Sequence, residues 1–327
     1  MHTLVTSDAT AHLQSMESES VHCIVTSPPY FGLRNYGHEG QIGLEKSADE
    51  YISKIVDAFR EMRRVLRADG VAWLNLGDTY GGGKQLLGMP WRVAISLQSD
   101  GWFLRQDIIW HKPSPMPESV NDRCTKAHEY VFLLTKSPTY FYDAVAISEP
   151  SGGETTVTRN RRSVWRIASR PYSGAHFATM PPELAETCIK AGTSEHGCCS
   201  NCGSPWTRVT KRTKITRPRP SDYVKRTGQP GTGNSCANSV AGVAVETLGW
   251  QRSCQCDPSD PVPCVVLDPF AGSGTTLAVA KSLGRDSIGI EINPDYVALA
   301  EQRIAEVGGS RSKPRRRLAA AEQGRLF

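Results

Sequence analysis

Apolar positions along the chain follow two periods. Val21-His-Cys-Ile-Val-Thr26 is a short β-branched run closed by Ser27-Pro28-Pro29, so a strand is expected to end in a stiff loop. Between residues 50 and 66, Ile52, Ile55, Val56, Phe59, Met62 and Leu66 recur every three to four positions, which predicts an amphipathic helix. Asp69-Gly70 marks a turn, and residues 71–76 read as a buried strand. Ile95 and Leu97 belong to a helix ended by Gly101, and residues 105–110 and 129–135 read as further strands. Another helix opens at Pro182 and closes at Gly192. Strands alternating with helices argue for an α/β fold with a mainly parallel sheet.

The pattern fails twice. Residues 151–172 are dominated by Gly, Thr and Arg and read as a loop or small insertion. Residues 193–263 are rich in Gly, Pro, Ser, Cys and basic residues and show no period. That stretch is too long for an ordinary loop, so something other than an apolar core must hold it.

Order returns at Cys264-Val-Val-Leu-Asp268, a buried strand. A glycine-rich bend follows, Pro269-Phe270-Ala271-Gly272-Ser273-Gly274-Thr275-Thr276, then a helix over residues 277–283 and a strand over 287–291. Asn293 caps a last helix that Pro294 opens. Gly272 and Gly274 let a ligand press against backbone, and the helix start offers unpaired N–H groups. Glu291, nineteen residues after Gly272, is placed to accept from ribose hydroxyls. Strand, bend, helix, strand and acid together predict a nucleoside site. The dinucleotide fingerprint is excluded, because Leu277 stands where its third glycine belongs. Only one helix follows Glu291, so the remaining strands must come from the N-terminal part of the chain. The ligand-binding half therefore lies late and its partner half early.

Composition adds a class. The chain has 327 residues, 39% hydrophobic and 22% charged, which suits a soluble protein of about two domains or one with insertions. No apolar run is long enough to span a membrane, and Met1–Asp8 lacks the features of a secretory signal, so a cytoplasmic protein is expected. The net charge of +5 is unevenly placed. Between Pro205 and Thr227 there are eight basic residues and one acid, and the segments from Arg159 to Arg170 and from Arg311 to Arg317 each carry five basic residues. Such segregation fits a polyanion bound along particular surfaces. Of ten cysteines, four form close pairs, Cys199-x-x-Cys202 and Cys254-x-Cys256, on either side of a 51-residue basic segment. Without a signal peptide, such pairs suggest one structural zinc stapling the ends of a loop, with Cys198 as an alternative to Cys199.

The late Asp268-Pro-Phe-Ala-Gly-Ser-Gly-Thr-Thr276 and the early Thr26-Ser27-Pro28-Pro29-Tyr30 resemble, as an ordered pair, the beta-class amino DNA methyltransferases. Ile109-Trp-His-Lys-Pro, Lys126-Ala-His-Glu129 and Gly174-Ala-His-Phe-Ala-Thr-Met-Pro181 are similar to further landmarks of that family. The resemblance implies a Rossmann-like S-adenosylmethionine-dependent fold, circularly permuted, in a bacterial or phage-encoded protein, and the cysteine pairs add a zinc-binding insertion to it. It implies a catalytic half over residues 1–150, an insertion over 151–175, and a helix completing the cofactor site over 176–192. A basic target-recognition insertion over 193–262, a cofactor-binding half over 263–307 and a disordered basic tail over 308–327 follow. Residues 268–276, Glu291 and Asp8 would hold the cofactor, Asp8 near its adenine. Arg208, Lys211, Arg212, Lys214, Arg217 and Arg219 would meet the phosphates of double-stranded DNA. The ending Gln323-Gly-Arg-Leu-Phe327 is similar to short peptides that dock on sliding clamps.

Ser27 to Tyr30 suit the chemistry of such an enzyme. A base amine is a weak nucleophile because its lone pair is delocalised into the ring. The Ser27 hydroxyl and Pro28 carbonyl are candidate acceptors that localise it, Pro28 and Pro29 stiffen the loop, and Tyr30 offers a face for an extruded base. Ser at the first position favours cytosine N4 in the family, with adenine N6 as the alternative. RNA or protein glutamine methylation, and a non-enzymatic zinc-bearing nucleic-acid binder, are the competing classes.

Overall fold

The computed structural model describes residues 1–33, 35, 37–38, 40–151, 154–169, 180–218 and 238–308. The landmark residues 174–179, Arg219, Cys236 and the tail with its clamp-like ending lie outside them.

In chain order the elements are β1 (His2–Thr6), α1 (Ala9–Ser15), β2 (Val21–Thr26), α2 (Ala48–Val65), β3 (Leu66–Leu76), α3 (Met89–Ser99), β4 (Phe103–His111) and β5 (His128–Thr135). Then come β6 (Glu149–Ser151), β7 (Glu154–Arg159), β8 (Val164–Arg166), α4 (Pro182–Gly192), β9 (Cys198–Cys199), β10 (Thr207–Pro218) and β11 (Asn238–Gln251). The chain closes with β12 (Pro261–Val262), β13 (Val265–Asp268), α5 (Thr275–Ser282), β14 (Asp286–Glu291) and α6 (Pro294–Glu306).

An eight-stranded sheet in the order β1-β14-β13-β2-β3-β5-β4-β8 forms the centre. Strands β1, β14, β13, β2 and β3 are mutually parallel, and β5 runs antiparallel to both β3 and β4. As the chain order required, β13 finds its neighbour β2 in the N-terminal part, and β1, which hydropathy did not reveal, extends the sheet beyond β14. Side-chain alternation divides the core between two faces. Ile24, Ala72, Leu74, Phe132, Leu134 and Leu267 pack with α1, α2 and α3, while Cys23, Val25, Val71, Trp73, Val131 and Val266 pack with α4 and α5. All six residues of β2 are buried, as expected of a strand covered on both faces. Each fully buried Val or Ile there contributes about 2 kcal/mol.

Helix α2 starts where Ser47 accepts from the Glu50 N–H, and α6 where Asn293 accepts from Asp295. Two expectations of irregular chain are corrected. Residues 151–172 contain β7 and β8, and residues 193–263 contain the long antiparallel hairpin of β10 and β11, which joins β7 and β6 in a second sheet. In β10, Thr, Val and Ile alternate loosely with Lys and Arg. The strand signal is there in the β-branched residues, but charge removes the apolar period that would announce it.

Candidate functional site

The predicted catalytic and cofactor residues gather along one edge of the sheet, at the C-terminal ends of the parallel strands, where open α/β sheets bind ligands. Thr26 ends β2 and Asp268 ends β13, and the Thr26 hydroxyl donates to Asp268 Oδ1 at 2.8 Å. That bond joins the early tetrapeptide to the late bend across 242 residues of chain. Asp268 also accepts from Thr276 Oγ1 at 2.7 Å and from the Phe270 N–H at 3.2 Å. Burial outweighs these donors and pushes its carboxyl up to about 6. Tyr30 and Phe270 pack against the same apolar cluster.

The bend's two glycines serve different ends. Gly272 sits at φ +50°, and a Cβ there would meet nothing within 4 Å, so its backbone faces open space. Gly274, at φ +73°, caps α5, and a Cβ there would lie 2.6 Å from the Ala300 Cβ of α6. Glu291 Oε2 accepts from the Gly272 N–H at 2.8 Å and Oε1 from the Asn293 N–H at 2.9 Å, which leaves lone pairs for ligand hydroxyls. Burial raises its carboxyl above the usual range. Pro269, Ala271, Ser273 and Thr275 are buried within the bend, and Arg303 of α6 donates to Ser273 Oγ and Thr275 Oγ1. Asp8 stands two residues beyond the β1 end that pairs with Glu291, at the same edge, where its carboxylate caps α1 through the Ala11 N–H.

Around Tyr30 the structure assembles residues that motif reasoning missed. The Ser27 hydroxyl donates to the Tyr30 hydroxyl at 3.3 Å. Tyr30 donates in turn to Glu129 Oε2 at 2.6 Å and lies 3.3 Å from Asn75 Oδ1. Asn75 Nδ2 donates to the same Glu129 oxygen at 3.1 Å, and Lys112 pairs with the other. Burial, then the Glu129 charge, hold the Tyr30 phenol well above its ordinary value, so it remains a neutral donor. Gly77 admits the ring, since a Cβ there would come 2.6 Å from Tyr30 Cε2. Pro28 is buried and Pro29 half-buried, and the Tyr51 hydroxyl donates to the Pro29 carbonyl at 2.9 Å. Lys112 and Glu129 fell within motif stretches; a lone acid heading the apolar strand β5 was the available signal.

At the opposite edge the four paired cysteines converge: the thiols of Cys199, Cys202, Cys254 and Cys256 all lie within 4.8 Å of one another. Cys198 belongs to a separate buried group with His22 and Cys264. There both imidazole nitrogens are occupied, Nδ1 by the Val265 N–H at 3.0 Å and Nε2 by the Gly203 carbonyl at 2.8 Å. Cys199, rather than Cys198, is the residue grouped with Cys202, Cys254 and Cys256.

The basic residues divide. Lys211, Arg212 and Lys214 are exposed on β10, and Arg217 lies further along it. Arg208 departs from its expected place on a phosphate-binding face. It is 12% exposed, its Nη2 lies 2.9 Å from Asp143 Oδ2 and 2.7 Å from Glu195 Oε2, and its guanidinium covers Trp250. Two acids already consume its charge, so it roots the hairpin instead.

Comparison with known proteins gives the family. A family model for N6 and N4 methyltransferases, described as DNA methylase, matches residues 21–200 and 262–302, the flanks of the hairpin. The type II methyltransferase M.SmaI of Serratia marcescens is 36% identical, with 92% of this chain and 90% of that protein covered. M.XycI of Xanthomonas campestris pv. cyanopsidis is 38% identical, covering 92% and 87%. Among solved structures, the cytosine-N4-specific PvuII DNA methyltransferase superposes with a TM-score of 0.61 at 20% identity, covering 92% of this chain and 87% of that one. A DNA modification methylase of Thermus thermophilus complexed with S-adenosyl-L-methionine gives 0.55 at 22% identity, covering 95% and 98%. The chain belongs to the N6/N4 DNA methylase family, the S-adenosylmethionine-dependent amino-methyltransferases of DNA.

Proposed function

We propose that the protein is a site-specific modification enzyme that methylates the exocyclic N4 amine of cytosine in double-stranded DNA, as one half of a restriction–modification pair. The carrying observation is the Thr26–Asp268 bond, which sets the Ser27–Tyr30 loop beside the Gly272 bend on one strand edge. In this reading the fold is a circular permutation of the Rossmann-like plan, with the cofactor half late and the catalytic half early. S-adenosylmethionine supplies an electrophilic methyl on a positively charged sulfur. Gly272 and the bend would bind it along their backbone, Glu291 would take ribose hydroxyls, and Asp8 would lie on the adenine side. One structural zinc on Cys199, Cys202, Cys254 and Cys256 is the second bound group.

The chain's own residues then act on the amine. Ser27 Oγ and the Pro28 carbonyl accept its two protons, which gathers the lone pair on nitrogen. Tyr30, fixed through Glu129 and Asn75, backs the extruded base with its ring. Held there, the amine would take the methyl in line as the carbon–sulfur bond breaks and its electrons return to sulfur, and the excess proton would pass from nitrogen by way of Ser27 Oγ to water. Alignment supplies several kcal/mol of the rate gain. Lys211, Arg212, Lys214, Arg217 and Arg219 meet phosphates, while Arg208 does not. Ser27 at the head of the tetrapeptide and the name of the PvuII relative both favour N4 over adenine N6. Nucleoside mass spectrometry of DNA methylated by the pure protein tests the reading. N4-methylcytosine is expected, and N6-methyladenine overturns the choice of base.

A further inference from the structure

The cysteine cluster sits where it can govern the hairpin. Strand β10 begins five residues after Cys202, and β11 ends three residues before Cys254. The two ends of this segment are already joined by the short ladder of β9 and β12, Cys199 opposite Pro261, and by a 2.9 Å bond between the Ser200 and Ser259 hydroxyls. Above the cluster, the Ser253 hydroxyl donates to the Pro205 carbonyl at 2.6 Å, and Arg252 Nη1 to the Cys256 carbonyl at 2.7 Å.

The same knuckle is fastened to the catalytic sheet. Arg67 at the start of β3, itself held by Asp69, donates to the Cys202 carbonyl at 2.8 Å. His22 at the start of β2 donates to the Gly203 carbonyl and accepts from Val265 at the start of β13. Gly203 turns at φ +71° against Arg67, where a Cβ would come within 2.5 Å. The knuckle is thereby fixed to the lower ends of the strands whose upper ends carry the tetrapeptide and the bend.

Four sulfurs gathered about one point suit one ion better than two disulfides. A tetrahedral zinc with bonds near 2.3 Å places its sulfurs about 3.8 Å apart, inside the observed spread. Cys202 is exposed and the described cysteines are all free, an arrangement open to oxidation unless a metal holds the thiolates.

We infer that one zinc ion on Cys199, Cys202, Cys254 and Cys256 fixes the root of the β10–β11 hairpin to β2, β3 and β13, so that metal loading controls DNA engagement without controlling S-adenosylmethionine binding. The control of DNA rests on the methyltransferase reading; the metal centre does not. Purified full-length protein should hold about one zinc per chain. Cobalt exchanged into it should show the visible bands of a tetrahedral thiolate site. Cys254→Ser together with Cys256→Ser, and wild type stripped by a chelator under reducing conditions, should lose the metal. Both should bind S-adenosylmethionine within about threefold of wild type while duplex affinity falls about tenfold or more, and zinc should restore it in the stripped protein. Absence of zinc after reconstitution, or two disulfides found by mass spectrometry of unreduced protein, overturns the metal centre. Zinc present but DNA affinity unchanged on its removal overturns the control. If wild type neither binds nor methylates DNA, the methyltransferase reading fails while the zinc and cobalt measurements still decide the site. If the double variant does not fold, the stripped and reloaded wild type carries the test.

Discussion

The two edges of the central sheet are built by different means. At the upper edge, short contiguous motifs end neighbouring strands, and a few bonds join them, among them Thr26 to Asp268 and Gly272 to Glu291. At the lower edge, residues from 22, 67, 198–205, 252–264 and their neighbours meet through single bonds and sparse cysteines. The upper edge does its work with individually positioned side chains. The lower edge does its work with attachment, which several contacts share. Substitution of an upper-edge residue that meets the base should therefore abolish turnover in a folded protein, replacement of one that only positions it should cost less, and changes at the lower edge should loosen binding or stability.

The largest effect expected is at Tyr30. Tyr30→Ala removes the face for the base and the partner of Glu129, and should lower kcat by about a thousandfold or more while S-adenosylmethionine affinity stays within threefold. Loss of cofactor binding in parallel would erase the distinction between loop and bend.

Next comes the pH dependence of Asp268. Its folded value near 6 lies above the ordinary 3.8, so the folded state prefers the protonated carboxyl. The stabilising contribution is complete below about pH 4 and is lost as pH rises through 6, on the order of 3 kcal/mol. Urea unfolding of wild type and Asp268→Asn should diverge accordingly, with the variant gaining on wild type between pH 4 and pH 7. A constant difference across that range contradicts the assignment.

The hairpin supplies the third comparison. Lys211→Ala, Arg212→Ala and Lys214→Ala together should weaken duplex binding about ten- to a hundredfold and reduce the slope of log affinity against log salt by about two to three. Arg208→Ala should leave that slope unchanged while lowering thermal stability, by about 1–3 kcal/mol if its half-buried pairs behave as others do. Equal slopes for the two variants would return Arg208 to the DNA surface.

Smallest is the effect expected at Glu129. Glu129→Gln keeps an acceptor for Tyr30 and should retain most of kcat, whereas Glu129→Ala should lose about tenfold in kcat with KM for DNA little changed. Equal losses in both variants would mark the carboxylate charge, rather than the hydrogen bond, as what matters.

Legibility in the sequence follows the same division. Val21–Thr26, the α2 period and the strand–bend–helix at Asp268 to Ser282 carry their own signals, because burial on both faces leaves runs of apolar residues and tight bends demand glycine. Residues that meet because distant strands lie side by side carry none. Glu129 reaches Tyr30 only because β5 runs antiparallel to β3 and so begins at the upper edge, a direction that hydropathy does not encode. Strand β1 is five half-buried or exposed residues on the sheet's rim and has no apolar run to announce it. Arg208 is indistinguishable from its basic neighbours until Asp143 and Glu195 are brought to it. The cysteine spacing was legible, but the bond from His22 to Gly203 that anchors it was not.

The placing of β13 beside β2 has a consequence for synthesis on the ribosome. Strand β2 is buried throughout, yet the neighbour that covers one of its hydrogen-bonding rims is translated some 240 residues later. Until that segment emerges, the nascent chain carries an open, strongly apolar strand rim, the kind of surface that chaperones shield and that seeds aggregation. Separately expressed pieces divided between β11 and β13 should each be poorly soluble, and co-expression should rescue both.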